Sequence, residues 1–167
     1  DNRRIGNVWN YADANDLNTD QMFAGNLTYQ VLSSEPEKIM PHLFKGFDVN
    51  FTEKVQSGDI IVAGSNFGCG SSREHPAVGL SHAGVKAVIC KSVNRIFYRS
   101  SVNQGLPILL VPEAVDAYKP GDKVEVDFEN GVITVGEQQF NFAPLPDKLM
   151  GIFNAKGLVN FIKEHAE

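Results

Sequence analysis

Three short apolar runs lie within Ile60–Ala63, Lys86–Cys90 and Pro107–Val111, spaced so that one helix fits between each pair. An apolar run without polar alternation suits a strand buried on both faces. A strand–helix–strand rhythm lays successive strands side by side in parallel. The intervening segments carry helix signals. Ser71-Ser72 is expected to open a helix with Pro76 in its first turn, where a missing N–H costs little, and Gly84 closes it. Asn94 to Asn103 reads as a second helix, closed by Gly105.

The flanks read differently. Ile5 to Tyr11 is expected to be one strand, and the Asn/Asp-rich stretch Asp13 to Asp20 a loop. Residues 21–34 show no period. Ser34-Glu35-Pro36-Glu37 looks like a helix start, with Ile39, Met40, Leu43 and Phe44 as its apolar face. In the last third, Lys123–Phe128, Val132–Val135 and Gln138–Phe142 suggest a small antiparallel region. Leu145 to Ala166 has a helical pattern, with Leu158, Phe161 and Ile162 on one side. No repeat or linker interrupts the chain. One α/β domain over residues 1–167, mixing parallel and antiparallel strands, is expected.

Composition narrows the function. The 167 residues are 43% hydrophobic and 21% charged, a globular mix, with a net charge of −5. Without a basic stripe, no nucleic-acid partner is expected. No apolar run approaches the roughly 18 residues of a membrane span, and no charged-then-apolar leader is visible. A cytoplasmic protein with no membrane partner is expected. Cys69 and Cys90 are the two cysteines and lack CxxC spacing. Two thiols cannot hold an iron–sulfur cluster that needs three or four, so no metal site is expected in this chain. The sequons Asn26-Leu27-Thr28 and Asn50-Phe51-Thr52 are read as chance.

The segment with most chemistry is Gly64-Ser65-Asn66-Phe67-Gly68-Cys69-Gly70-Ser71-Ser72-Arg73-Glu74-His75. It joins a buried strand to a helix, where free N–H groups and the positive dipole end meet. Its glycines admit a close ligand, and Arg73 can hold a carboxylate with two parallel hydrogen bonds. A small carboxylate or phosphate would suit it. The bland alternative is a glycine-rich turn with Ser72 as a helix N-cap. No Gly-Lys-Ser/Thr follows, so it is not a Walker loop. The serines lack GxSxG spacing, so it is not a nucleophile elbow. For His75, a structural place in the first helical turn is read ahead of a catalytic one.

Asn66-Phe67-Gly68-Cys69-Gly70-Ser71-Ser72-Arg73-Glu74-His75-Pro76-Ala77-Val78-Gly79-Leu80, followed by the stretch from Lys86 to Leu110, resembles the signature region of the aconitase superfamily's swivelling domain. Asn18-Thr19-Asp20 resembles the Thr-Asp loop near that family's N-terminus. Lys91-Ser92-x-x-Arg95-Ile96-Phe97-Tyr98-Arg99 is similar to the archaeal-type version. The resemblance implies a swivelling β/β/α fold. A free-standing chain of this size resembles the small subunits of the isopropylmalate and 2,3-dimethylmalate dehydratases and of homoaconitase.

What the resemblance implies can be placed on residues. Ser71 would be the alkoxide general base, with Asp20 ordering the acid/base network. Ser72, Arg73 and Thr19 would bind substrate. The [4Fe-4S] cluster would sit on a large partner subunit, in a heterodimer or heterotetramer. The substrate would be a small di- or tricarboxylate hydroxy acid, isomerised by dehydration and rehydration, with isopropylmalate and leucine biosynthesis favoured. The loop from Gln21 to Gln30, with Asn26, Leu27, Thr28 and Tyr29 as its specificity positions, has no basic residue where relatives that read an extra carboxylate tend to carry an arginine. An apolar substituent is therefore expected, lying against Met22, Phe23, Leu27 and Tyr29. Two rival classes are a non-catalytic anion-binding module of the same fold and a phosphate-dependent transferase. The second is disfavoured by the missing lysine. An RNA-binding regulatory use of the scaffold suits the negative charge poorly.

Overall fold

A computed structural model describes residues 3–6, 8–12, 15–23, 36–44, 48, 51–56, 58–69, 75–119, 122–128, 130–142, 147–154 and 162. Two four-stranded sheets form its frame. One is wholly parallel, in the order β2 (Val8–Tyr11), β3 (Ile60–Ala63), β4 (Ala87–Cys90), β5 (Ile108–Leu110). The other is wholly antiparallel, in the order β1 (Arg3–Gly6), β6 (Val124–Asp127), β7 (Val132–Val135), β8 (Gln138–Asn141).

The three central parallel strands lie where the apolar runs place them. Every residue of β3 and β4 is buried, as a strand covered on both faces requires. Alternate residues face different cores. Ile61, Ala63, Val88, Cys90 and Ile108 join a cluster with Ile39, Leu43, Ala77, Leu80 and Phe97, from the helical side. Ile60, Val62, Ala87, Ile89 and Leu109 join Val124, Val126, Ile133 and Val135 of the antiparallel sheet. The layers are therefore antiparallel sheet, parallel sheet and helices, the β/β/α arrangement.

Helix α4 (His75–His82) connects β3 to β4, and α5 (Arg95–Asn103) connects β4 to β5. Asn94 caps α5: its Oδ1 accepts from the N–H groups of Ile96 at 2.9 Å and Phe97 at 3.2 Å. Its other end closes where the N–H of Gly105, at φ +78°, donates to the Val102 carbonyl. From His75 to Leu80 every residue of α4 is buried, so this helix is a core element with no solvent face there.

Several expectations need correction. The first strand is two strands: β1 pairs with β6 and β2 with β3, so Arg3–Gly6 and Val8–Tyr11 belong to different sheets. The expected Asp13–Asp20 loop ends in a helical turn, α1 (Thr19–Met22). The helix after residue 34 is described as α2 (Pro36–Ile39), continuing as a 3-10 turn over Met40–His42. Two short helices were not foreseen, α3 (Phe51–Lys54) and α6 (Pro112–Ala117). α6 starts on Pro112 with Glu113 in its first turn, a recognisable start signal. Of the expected Leu145–Ala166 helix, α7 (Asp147–Asn154) is described, and Leu158 and Phe161 lie outside the described residues.

Candidate functional site

The carboxyl ends of β2, β3 and β4 open into three neighbouring loops, the place where parallel α/β sheets hold ligands. The glycine-rich loop after β3 is laced to the loop after β2 by four hydrogen bonds. The Asp16 N–H donates to the Ser65 carbonyl at 2.8 Å, and the Gly68 N–H to the Leu17 carbonyl at 2.8 Å. The Ser65 N–H donates to Asn15 Oδ1 at 2.8 Å, and Asn66 Nδ2 to Asp16 Oδ1 at 2.9 Å. Asp16 and Asn66 both hold φ near +57°, a left-handed conformation that Asn and Asp tolerate better than other side chains.

The other side of the loop is tied to the segment after β4. The Asn66 N–H donates to Ser92 Oγ at 2.7 Å, and the Phe67 N–H to the Ser92 carbonyl at 3.0 Å. The Asn94 N–H donates back to the Phe67 carbonyl at 2.9 Å. Phe67 is fully buried and meets Phe97 edge-to-face at 5.4 Å. Lys91 reaches Asp116 on α6 at 2.7 Å, a partly exposed pair that contributes little stability but holds this cation towards α6. Thus Lys91, Ser92 and Asn94 act on the loop's shape.

Thr19 and Asp20 occupy the first two positions of α1. Asn18 and Gln21 bracket them in a reciprocal cap: the Gln21 N–H donates to Asn18 Oδ1 at 2.8 Å, and the Asn18 N–H to Gln21 Oε1 at 2.9 Å. This cap was legible as Asn-x-x-Gln and was missed because the stretch reads as loop by composition. Beyond the turn, the Phe44 N–H donates to the Met22 carbonyl at 2.7 Å. The Phe23 ring stacks on His75 with centroids 4.9 Å apart and planes 10° from parallel. His75 is 9% exposed, so the structure seats it in the core.

Two sequence-based placements therefore change. Met22 and Phe23, expected to face a substrate substituent, are completely buried in the helical-side core. Apolar side chains beside a helical turn gain more from burial than from lining a wet loop. Ser71, Ser72 and Arg73 lie outside the described residues, as do Asn26, Leu27, Thr28 and Tyr29. What is described is their frame: the chain up to Cys69, the chain from His75 and the turn that carries Thr19 and Asp20.

Among the described residues no three His, Cys, Asp or Glu side chains gather to hold a metal ion, and no helix is long and apolar enough to cross a membrane. Burial pushes the Cys90 thiol up to about 12, away from the thiolate that metal ligation needs. A cleft of about 200 Å³ opens at the other end of the parallel sheet, by the amino ends of β3, β4 and β5, beside Gly58, His82, Lys86, Gly105 and Phe153. It lies by the carboxyl end of α4, a poor setting for a carboxylate ligand.

Known proteins resemble this chain over nearly its full length. The small subunit 1 of 3-isopropylmalate dehydratase from Methanopyrus kandleri is 42% identical over 161 residues, covering 95% of this chain and 91% of that protein. The 2,3-dimethylmalate dehydratase small subunit of Eubacterium barkeri is 43% identical over 159 residues, covering 94% of each. The crystal structure of 3-isopropylmalate dehydratase from Methanocaldococcus jannaschii superposes with a TM-score of 0.81 at 34% identity, covering 98% of this chain and 93% of that one. The aconitase C-terminal domain matches residues 10–113, from inside β2 to inside α6, and so takes in both the Thr19-Asp20 turn and the whole glycine-rich loop. The chain belongs to the aconitase C-terminal domain family.

Proposed function

We propose that this chain is the small subunit of a hydro-lyase that isomerises a 2-hydroxy acid by removing and re-adding water, with 3-isopropylmalate as its substrate. The observation that carries the reading is the lacing of Asn15, Asp16 and Leu17, the stretch leading into the Thr19-Asp20 turn, to the glycine-rich loop, in a chain similar over nearly its full length to small subunits of that name.

In this reading Ser71 takes the proton α to a substrate carboxylate. A serine is a base only when its alkoxide is stabilised. Loop N–H groups and the Arg73 guanidinium would supply that stabilisation. Arg73, Ser72 and Thr19 hold the substrate, and Asp20 orders the proton network. Such a proton is weakly acidic, so a Lewis acid is needed. The two thiols of this chain, one of them buried and strongly protonated, do not fit a [4Fe-4S] cluster. The large partner subunit would contribute that group, in the cytoplasm where amino-acid biosynthesis runs.

A second reading, 2,3-dimethylmalate as substrate, is supported by the Eubacterium barkeri relative. The test is anaerobic co-expression with a large subunit, followed by kcat/KM on isopropylmalate, dimethylmalate and homocitrate side by side. Activity on the alkylmalates is expected, and the purified chain alone should be colourless and inactive. Turnover without a partner, or a cluster bound to the pure chain, would overturn the reading.

A further inference from the structure

Two contacts bracket both proposed catalytic segments. Asp16 and Asn66 meet at 2.9 Å, and Phe23 and His75 stack at 4.9 Å. Between residues 16 and 23 lie Thr19 and Asp20. Between residues 66 and 75 lie Ser71, Ser72 and Arg73. The geometry points to a two-ended clasp. Asp16–Asn66 at one end and Phe23–His75 at the other are positioning residues that fix the Thr-Asp turn against Asn66 and His75, the two described anchors on either side of Ser71, Ser72 and Arg73 in the sequence. This rests on the functional reading above.

The two ends differ in chemistry. The polar end is exposed at Asp16 and Asn66, where one hydrogen bond alone is a weak tie. It is reinforced by the backbone bonds from Asp16 to Ser65 and from Gly68 to Leu17, and both side chains sit on left-handed backbone that fixes where they point. The aromatic end is in the core: Phe23 is fully buried, and His75 is the first residue of α4. The Met22–Phe44 backbone bond pins the chain just before Phe23. Neither pair needs to touch substrate. Proton transfer from carbon tolerates little error in distance, and a misplacement of about 1 Å can cost about 100-fold in rate.

The test uses the complex with the large subunit. Asp16→Gly removes the polar contact while suiting φ +57°. Asp16→Asn keeps an oxygen for Asn66 to donate to. Phe23→Leu removes the ring face while keeping an apolar side chain. Opening one end should lower kcat about 10-fold and opening both about 100-fold. KM, the Tm and co-purification with the large subunit should change little, and Asp16→Asn should restore kcat. If the double variant keeps its kcat while Ser71→Ala in the same complex is inactive, the clasp is overturned and the functional reading stands. If Ser71→Ala is also fully active, the functional reading itself falls and takes the clasp with it. A kcat loss that tracks falling Tm or lost co-purification makes the contacts merely structural and overturns the clasp too.

Discussion

Gly68 lies so close to Phe97 that a Cβ at position 68 would stand 2.6 Å from the Phe97 Cβ, with φ at +78°. Phe97 is itself buried and wedged edge-to-face against Phe67. The contact lets the glycine-rich loop descend onto α5. Gly68→Ala is therefore expected to destabilise the fold by about 2–4 kcal/mol, combining an overpacked core with a disfavoured backbone. Urea denaturation of the purified chain measures this. A loss below about 0.5 kcal/mol, the scale of a neutral surface change, would contradict it.

Ser71→Ala should leave folding intact and lower kcat by about 100- to 10,000-fold, the usual contribution of a general base. Arg73→Lys should act mainly on KM, because an ammonium cannot form the planar two-point grip on a carboxylate. Steady-state kinetics of the reconstituted complex separates the two. An unchanged rate in Ser71→Ala would assign the base to another group.

Alkaline pH should weaken the fold. Burial pushes the Cys90 thiol up to about 12, and burial with the bond to Asp48 pushes the Tyr11 hydroxyl up as well. Both groups stay protonated in the folded chain where the unfolded chain has released its proton. The folded state then binds more protons, so stability falls as pH rises. The fall begins near pH 9 for the thiol and near 10 for the phenol, approaching about 1.4 kcal/mol per pH unit for each group. Denaturation midpoints between pH 8 and 11 should decline, and Cys90→Ala should flatten the earlier part of the decline. A rise in stability over that range would have the wrong sign.

The loop from Gln21 to Gln30 contains no cation. A second distal carboxylate on the substrate would be left without a counter-charge, at a cost of several kcal/mol if buried. Related alkylmalates differ by only about 1–3 kcal/mol per methylene, so more than one should react. An arginine introduced as Thr28→Arg or Tyr29→Arg should shift kcat/KM towards tricarboxylates. A clear preference of the unmodified complex for homocitrate would place the charge reading on the large subunit instead.

The parallel sheet was legible because burial on both faces leaves nothing but apolar residues in β3 and β4, a pattern few other structures share. The antiparallel strands showed through alternation, with Val124 and Val126 inward. The division between β1 and β2 was not legible, since two strands of unlike sheets that follow closely in sequence look like one longer strand. The Thr19-Asp20 turn was hidden because Asn and Asp favour loops and helix caps alike, and only the Asn18–Gln21 pairing distinguishes the two. The burial of Phe23 depends on His75, 52 positions away, and no local pattern reports a contact of that span.

The assignment of β1 and β2 to different sheets also orders the assembly of the chain. Arg3 must find Asp127, whereas Val8 needs only Ile60. A ribosome adding about 5–20 residues per second leaves β1 without its neighbour for on the order of 10 s after it emerges. The parallel strands can close first through their nearer partners. β1, synthesised long before its partner, is then among the last of these strands to dock, and until it does it offers a bare edge to any other strand it meets.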